Sequence, residues 1–217
     1  MSQKAIIFDL DGVIVDTAKY HYLAWKTLAS KFNFDFTEEQ NELLKGVSRV
    51  RSLEILLDLG QIHLESDQKE QLLVEKNEQY LQYIAQMDQK EILPGIDNLL
   101  HYLNMNKIPF ALGSASKNAR LILEKLDLIH LFDAIVDGND VSTAKPDPEV
   151  FLIAASKLGR KPEDCIVIED AKAGIEAANL ALMTSIGIGA KKVLKEADFV
   201  LNDTSKLTID FIQKLMV

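Results

Sequence analysis

Ala5-Ile6-Ile7-Phe8-Asp9-Leu10-Asp11-Gly12-Val13-Ile14 runs four small or apolar residues straight into two carboxylates, one residue apart, with a glycine behind them. A short continuous apolar run that ends abruptly in charge reads as a buried strand of a parallel sheet. In open α/β sheets, ligands bind beyond the carboxyl ends of such strands, where these aspartates fall. While strand pairing persists, residues two apart share a face, so Asp9 and Asp11 start out pointing the same way. Gly12 lets the backbone leave through a turn that most residues cannot adopt. Two carboxylates this close repel and are costly without a cation beside them. A hard divalent ion such as Mg²⁺, which prefers oxygen ligands, meets that need.

The 217-residue chain is 47% hydrophobic and carries a formal charge of -9. That length supplies one large domain or two modest ones with an ample core. The acidic balance argues against nucleic acid and anionic membrane surfaces as partners. Cys165 is the single cysteine, which excludes an internal disulfide framework and suits a reducing cytosol. Its neighbours Ile166-Val167-Ile168 mark it as a small buried strand residue rather than a nucleophile. No apolar run approaches the ~20 residues of a membrane span. The run after Lys4 meets Asp9 too soon for a signal peptide. The expectation is a soluble, cytoplasmic protein. With no heptad-like seam or long exposed apolar stripe, it is expected to be a monomer.

Past the first strand the periodicity turns helical. Tyr22, Trp25, Leu28, Ala29 and Phe32 recur at helical spacing, and Thr37 with Glu38, Glu39 and Gln40 behind it marks a helix start. Lys45-Gly46-Val47-Ser48-Arg49 interrupts the pattern, with Ser48 capping a helix to about Leu59. A long segment from Ser66 to about Met87 places Leu73, Tyr80, Ile84 and Met87 on one face. Residues 16 to 89 thus form a helical insertion above the carboxyl end of the first strand. Pro94-Gly95 restarts an alternation of strands and helices. Strands are expected at 108–113, 134–136, up to 168, 183–188 and 199–201, and a last helix near Leu215. This alternation predicts an α/β protein with a doubly wound parallel sheet.

The remaining polar clusters fall at strand ends too. Ser114 closes the second strand, Glu169-Asp170 close a later one, and Lys145-Pro146 lies in a loop beyond another. Strand ends of one parallel sheet converge on one crevice, so these distant residues become neighbours. Together they compose a site for moving a phosphoryl group. Asp9 serves as nucleophile, splitting one hard displacement into two. Asp11 protonates the leaving oxygen and deprotonates the next nucleophile. Glu169 and Asp170, with Asp9, offer oxygen ligands for Mg²⁺. The Ser114 hydroxyl and Lys145 balance charge on the transferring group. Singly, each has a plainer role: a turn serine, a solvated lysine, acids favouring a helix start. Their joint occurrence in this order carries the reading.

With Asp9-Leu10-Asp11-Gly12, Ser114, Lys145-Pro146 and Glu169-Asp170 in these positions, the chain resembles the haloacid dehalogenase superfamily. Within it, the chain is similar to the β-phosphoglucomutases over almost its whole length. That narrower likeness rests on Asp16-Thr17-Ala18, Tyr20-His21, Ala24-Trp25, Lys45 to Arg49, Lys76-Asn77 and Ser114-Ala115-Ser116-Lys117-Asn118. The resemblance implies a Rossmann-like core, residues 1–15 and 90–217, under a closing helical cap, residues 16–89. It implies one Mg²⁺ ion and interconversion of β-D-glucose 1-phosphate and D-glucose 6-phosphate through β-D-glucose 1,6-bisphosphate. Asp9, Asp11, Ser114 and Lys145 would be catalytic, and Asp9, Asp11, Glu169 and Asp170 the metal ligands. Arg49, Ser116, Lys117 and Asn118 would hold the second phosphate. His21, Trp25, Gly46, Val47, Ser52 and Lys76 would line the sugar, and Ser48 and Ala115 would also bind substrate. Val50-Arg51 stands where a more acidic pair is expected, Gly113 where alanine also occurs, and Ala171-Lys172 where a serine is common after the acidic pair. A sugar-phosphate or phosphoglycolate-type phosphatase of the same fold stays open as the alternative. A non-catalytic phosphosugar-binding protein fits less well, since both Asp9 and Asp11 are present.

Overall fold

The protein is described here by a computed structural model, covering residues 4–44 and 47–216. Six strands form one sheet: β1 (Ala5–Phe8), β2 (Phe110–Gly113), β3 (Ala134–Val136), β4 (Cys165–Glu169), β5 (Thr184–Ile188) and β6 (Phe199–Leu201). Every pairing is parallel, and the spatial order is β3-β2-β1-β4-β5-β6. The chain runs outward from β1 through β2 to β3, then returns to lay β4 on the other side of β1. That reversal opens a crevice beyond the carboxyl end of β1.

Both faces of the sheet are covered, and the apolar strand β1 shows why. Ile6 and Phe8 join one core with α5 (Ile96–Met105), α6 (Ala119–Lys125) and α9 (Ile209–Leu215). Ala5 and Ile7 join the opposite core with α7 (Glu149–Lys157) and α8 (Lys172–Leu180). A strand buried on both sides cannot alternate with polar residues, so its sequence is uniformly apolar.

Among the described residues, four α-helices lie between β1 and α5: α1 (Ala18–Ser30), α2 (Glu38–Asn41), α3 (Arg49–Leu59) and α4 (Ser66–Ile84). Thr37 and Gln40 close a reciprocal capping box at the start of α2, and the Ser48 hydroxyl accepts from Arg51 N to cap α3. Trp25, Leu28, Phe36, Leu53, Leu56 and Leu57 form a third apolar cluster inside this helical segment. Its connection to the sheet is a narrow stem. Val15 bridges Asp11 on one side and Ile92, antiparallel, on the other, and Leu93 N donates to Ile14 O at 2.9 Å.

The structure departs from the sequence reading in α4. Its buried stripe is Leu72, Lys76, Tyr80 and Ile84, spaced four apart, while Leu73 is only half-buried. A lysine in the stripe hid the phase of the helix. The second strand also starts later than expected, at Phe110, after Pro109, which has no amide to give a sheet. Among the described residues, no helix is long and apolar enough to cross a membrane.

Candidate active site

Register places the first aspartate. Phe8 pairs with Leu112 on one side and Ile168 on the other. The next residue out, Asp9, therefore sits between Gly113 and Glu169, and its amide still donates to Ile168 O at 2.9 Å. Lys145, in the loop before α7 and following a run to a cis peptide with Pro146, reaches in underneath. Its ammonium donates to Asp9 Oδ1 at 2.5 Å, Glu169 Oε1 at 2.8 Å and the Gly113 carbonyl at 3.0 Å. All three side chains are buried.

Burial pushes the Asp9 carboxyl up to about 6, against the pull of Lys145 and with the push of Glu169. Burial by itself would depress Lys145, but the carboxylates of Asp9 and Glu169 hold it above its ordinary value. Oxygens of Asp9, Glu169 and Asp170 lie within 4.8 Å of one another. Three hard anionic oxygens around one point, with one ammonium among them, are a donor set that fits Mg²⁺.

Two glycines shape this cluster. Gly12 has φ +78, and a Cβ there would lie 2.2 Å from Asp170 Oδ2. A Cβ on Gly174, in the first turn of α8, would lie 1.8 Å from Glu169 Oε1. Glu169 is fixed further by Ala171 N, which donates to its Oε2 at 2.7 Å. Asp170 and Glu169 thus each occupy the space of an absent side chain.

Asp11 stands apart. Strand β1 ends at Phe8, so the two-residue period fails, and the Asp11 carboxylate is not in the three-oxygen group. Its Oδ1 is buried without a hydrogen-bond partner. Burial and the charge of Asp9 push it up to about 7, and Lys76 pulls the other way. A carboxyl poised near neutrality can give and take a proton.

Above these groups opens a cavity of about 500 Å³. Ser114, buried at the end of β2, accepts from Ser116 N, and Ser116 Oγ accepts from Asn118 N. These turns bring Ala115, Ser116, Lys117 and Asn118 to the cavity wall. Asn118 Nδ2 donates to Asn77 Oδ1 on α4 at 2.9 Å. The helical segment supplies the facing wall: His21 and Trp25 from α1, Val47 and Ser48 before α3, Arg49 and Ser52 on it, and Lys76 from α4. Gly46, with Lys45, lies outside the described residues.

That wall is cationic and poorly compensated. Lys76, 2% exposed, is 2.7 Å from His21 Nδ1 and sits 4.8 Å over the Trp25 ring and 4.6 Å over Tyr80. Burial, then the charge of Arg49, brings its pKa down to about 7. Burial and both cations push His21 well below its usual value, and burial lowers Arg49. Buried cations crowded together are what an anion would relieve. The cavity therefore carries an acidic, lysine-bridged end fitted to a metal and a phosphoryl group, and basic groups placed for a second anion.

Sequence reasoning missed part of the lining: Asn41, Leu44, Leu73, Gly138 and the loop 141–144. That loop is steadied by Glu149, whose carboxylate accepts from Ser142 N at 2.8 Å and Thr143 N at 2.6 Å. A seven-residue reach of this kind leaves no periodic signal.

The family description haloacid dehalogenase-like hydrolase matches residues 3–181. A β-phosphoglucomutase of Bacillus subtilis is 43% identical over 213 residues, 97% of this chain and 94% of that protein. A solved β-phosphoglucomutase from Clostridium difficile is also 43% identical, covers 98% of this chain and 96% of its own, and superposes with a TM-score of 0.94. A phosphorylated carbohydrates phosphatase of Thermotoga maritima is 31% identical over 82% of this chain and 81% of its own.

Proposed function

Because the chain belongs to the haloacid dehalogenase-like hydrolases, we propose that it is a β-phosphoglucomutase interconverting β-D-glucose 1-phosphate and D-glucose 6-phosphate. The observation that carries this is one cavity of about 500 Å³ with Asp9 and Asp11 at one end and Arg49, Ser116, Lys117 and Asn118 also on its wall. A mutase must grip a phosphate at each end of the sugar, because its bisphosphate intermediate turns around between half-reactions. A phosphatase needs one grip only.

In this reading, residues 16–89 act as a cap on a core of residues 1–15 and 90–217, supported by the separate apolar cluster within the helices. Asp9 attacks the phosphorus of β-D-glucose 1,6-bisphosphate, forming an aspartyl phosphate and releasing a sugar oxygen that takes its proton from Asp11. That glucose monophosphate leaves and the other one enters, Asp11 removes a proton from its free hydroxyl, that oxygen takes the phosphoryl group from Asp9, and the bisphosphate so formed turns around before the next transfer. Lys145 and the Ser114 turn offset charge on the transferring oxygens. Asp9, Glu169 and Asp170 would hold Mg²⁺, which lowers the charge on the transferring group when bound. Arg49, Ser116, Lys117 and Asn118 hold the idle phosphate, while His21, Trp25, Val47, Ser48, Ser52, Lys76 and Ala115 enclose the sugar and keep water from the aspartyl phosphate. An acidic chain working on phosphosugars, with one buried cysteine, fits a cytoplasmic monomer.

Product analysis tests this. With β-D-glucose 1-phosphate, Mg²⁺ and a trace of bisphosphate, glucose 6-phosphate should form in large excess over inorganic phosphate. Free glucose and phosphate in equal amounts would overturn the mutase in favour of the phosphatase.

A further inference from the structure

Asn41 ends α2, the short helix pinned at its start by the Thr37–Gln40 box. Its backbone N donates to Thr37 O at 3.1 Å. The residue is 7% exposed, Oδ1 is buried without a partner, and no hydrogen bond to the side-chain amide is found among the described residues. The same residue lines the cavity that holds Asp9, sharing that wall with Trp25, Leu44, Val47 and Ser52. Native proteins rarely leave a buried amide unpaired, and one at a binding cavity is the sign of a partner that comes with the ligand.

The chemistry of that partner follows from the surroundings. A neutral amide offers two donors and one acceptor, the complement of a hydroxyl. The cavity already has Arg49 and Lys117 for phosphate, and an uncharged group adds little there. Trp25, Leu44 and Val47 are apolar and suit the carbon faces of a ring. We propose that Asn41 is a specificity-determining residue that hydrogen-bonds one ring hydroxyl of the sugar. The proposal rests on the sugar-phosphate reading above and names a contact which that reading does not contain. A wall that pairs its buried amide only with a hydroxyl discriminates against sugars that lack it, because the amide is then left unpaired.

The test crosses the protein with the substrate. Wild type and Asn41→Leu, which keeps the branched shape and removes both polar ends, are assayed on β-D-glucose 1-phosphate and its 2-, 3- and 4-deoxy analogues. Turnover is read as the sum of sugar 6-phosphate and inorganic phosphate, so an enzyme that hydrolyses rather than isomerises still reports on Asn41. On the full sugar, kcat/KM should fall about tenfold to a hundredfold. On one deoxy analogue, wild type should already be that slow and the variant should lose less than about twofold more. Melting of the ligand-free protein should not fall, since no hydrogen bond to the Asn41 side chain is found among the described residues. Equal losses on all four sugars, or none on any, would overturn the proposal. A lowered melting temperature with equal losses would make Asn41 a support for the neighbouring loop. If Asn41→Leu fails to fold, Asn41→Ser is read by the same criteria.

Discussion

Replacing Lys76 by methionine should make the ligand-free protein more stable and less active. The lysine is buried in a helix stripe, and its pKa is brought from the usual 10.5 down to about 7. The unfolded chain keeps this lysine protonated to near 10.5, so across that interval folding expels a proton. The destabilisation is complete below pH 7 and fades as pH rises toward 10.5, at about 1.4 kcal/mol per pH unit. Methionine fills similar space between Trp25 and Tyr80 and gives up the bond to His21, worth about 1 kcal/mol. At pH 7 the variant should be more stable by about 3–4 kcal/mol. Between pH 7 and pH 10 that advantage should shrink by about 3–4 kcal/mol, so the two proteins become nearly equal in stability. Asp11 and His21, which also feel Lys76, titrate at or below the start of this window. Urea unfolding of both proteins at each pH, with chelator and no phosphate, reads the difference directly. A stability gap that stays constant from pH 7 to pH 10 would refute the buried-charge argument. The activity half of the claim is checked by kcat/KM at pH 7, where loss of a cation facing the substrate should cost at least about tenfold.

Asp9→Asn should abolish turnover while leaving the fold intact by circular dichroism, and undiminished activity would remove the covalent mechanism. Arg49→Ala should lower mutase turnover far more than hydrolysis of a simple phosphate monoester, whereas equal losses would argue against a dedicated second phosphate grip. Gly174→Ala, a change that elsewhere in a helix gains up to about 1 kcal/mol, should here cost about 1–3 kcal/mol by crowding Glu169. It should also weaken Mg²⁺ binding measured by calorimetry, and a more stable variant with unchanged Mg²⁺ affinity would count against the packing argument.

The sheet was legible because β1 and β4 are buried on both faces and so leave unbroken apolar runs that stop at acids. The residues at those stops, Asp9, Ser114, Glu169 and Asp170, could be gathered into one crevice by topology alone. What escaped was anything set by three-dimensional packing without periodicity. Lys76 occupies an apolar phase of α4, so hydropathy pointed to Leu73 instead. Gly174 reads as an ordinary helix glycine until Glu169 is seen lying across it. Asp11 looked like a twin of Asp9 because the strand was assumed to continue, and it ends at Phe8, before either aspartate. Asn41 gives no signal in the sequence, since an orphaned amide is visible only once its neighbours are placed.

The stem at Val15 and Ile92 looks like a natural seam for recombination, two strands of chain that could be cut and rejoined. The packing says otherwise. Ala24, Tyr80, Ile84 and Met87 belong to the same apolar cluster as Phe8 and Phe110 of the sheet, although all four come from the inserted segment. A chimaera that exchanged residues 16–89 for a foreign helical unit would therefore open a hole in the recipient's interior unless the donor brought equivalent side chains at those four places. Substrate range in such a lineage would diversify by changing the outer helices α2 and α3, which carry Asn41 and Arg49, while the lower turns of α1 and α4 stayed fixed as rootstock.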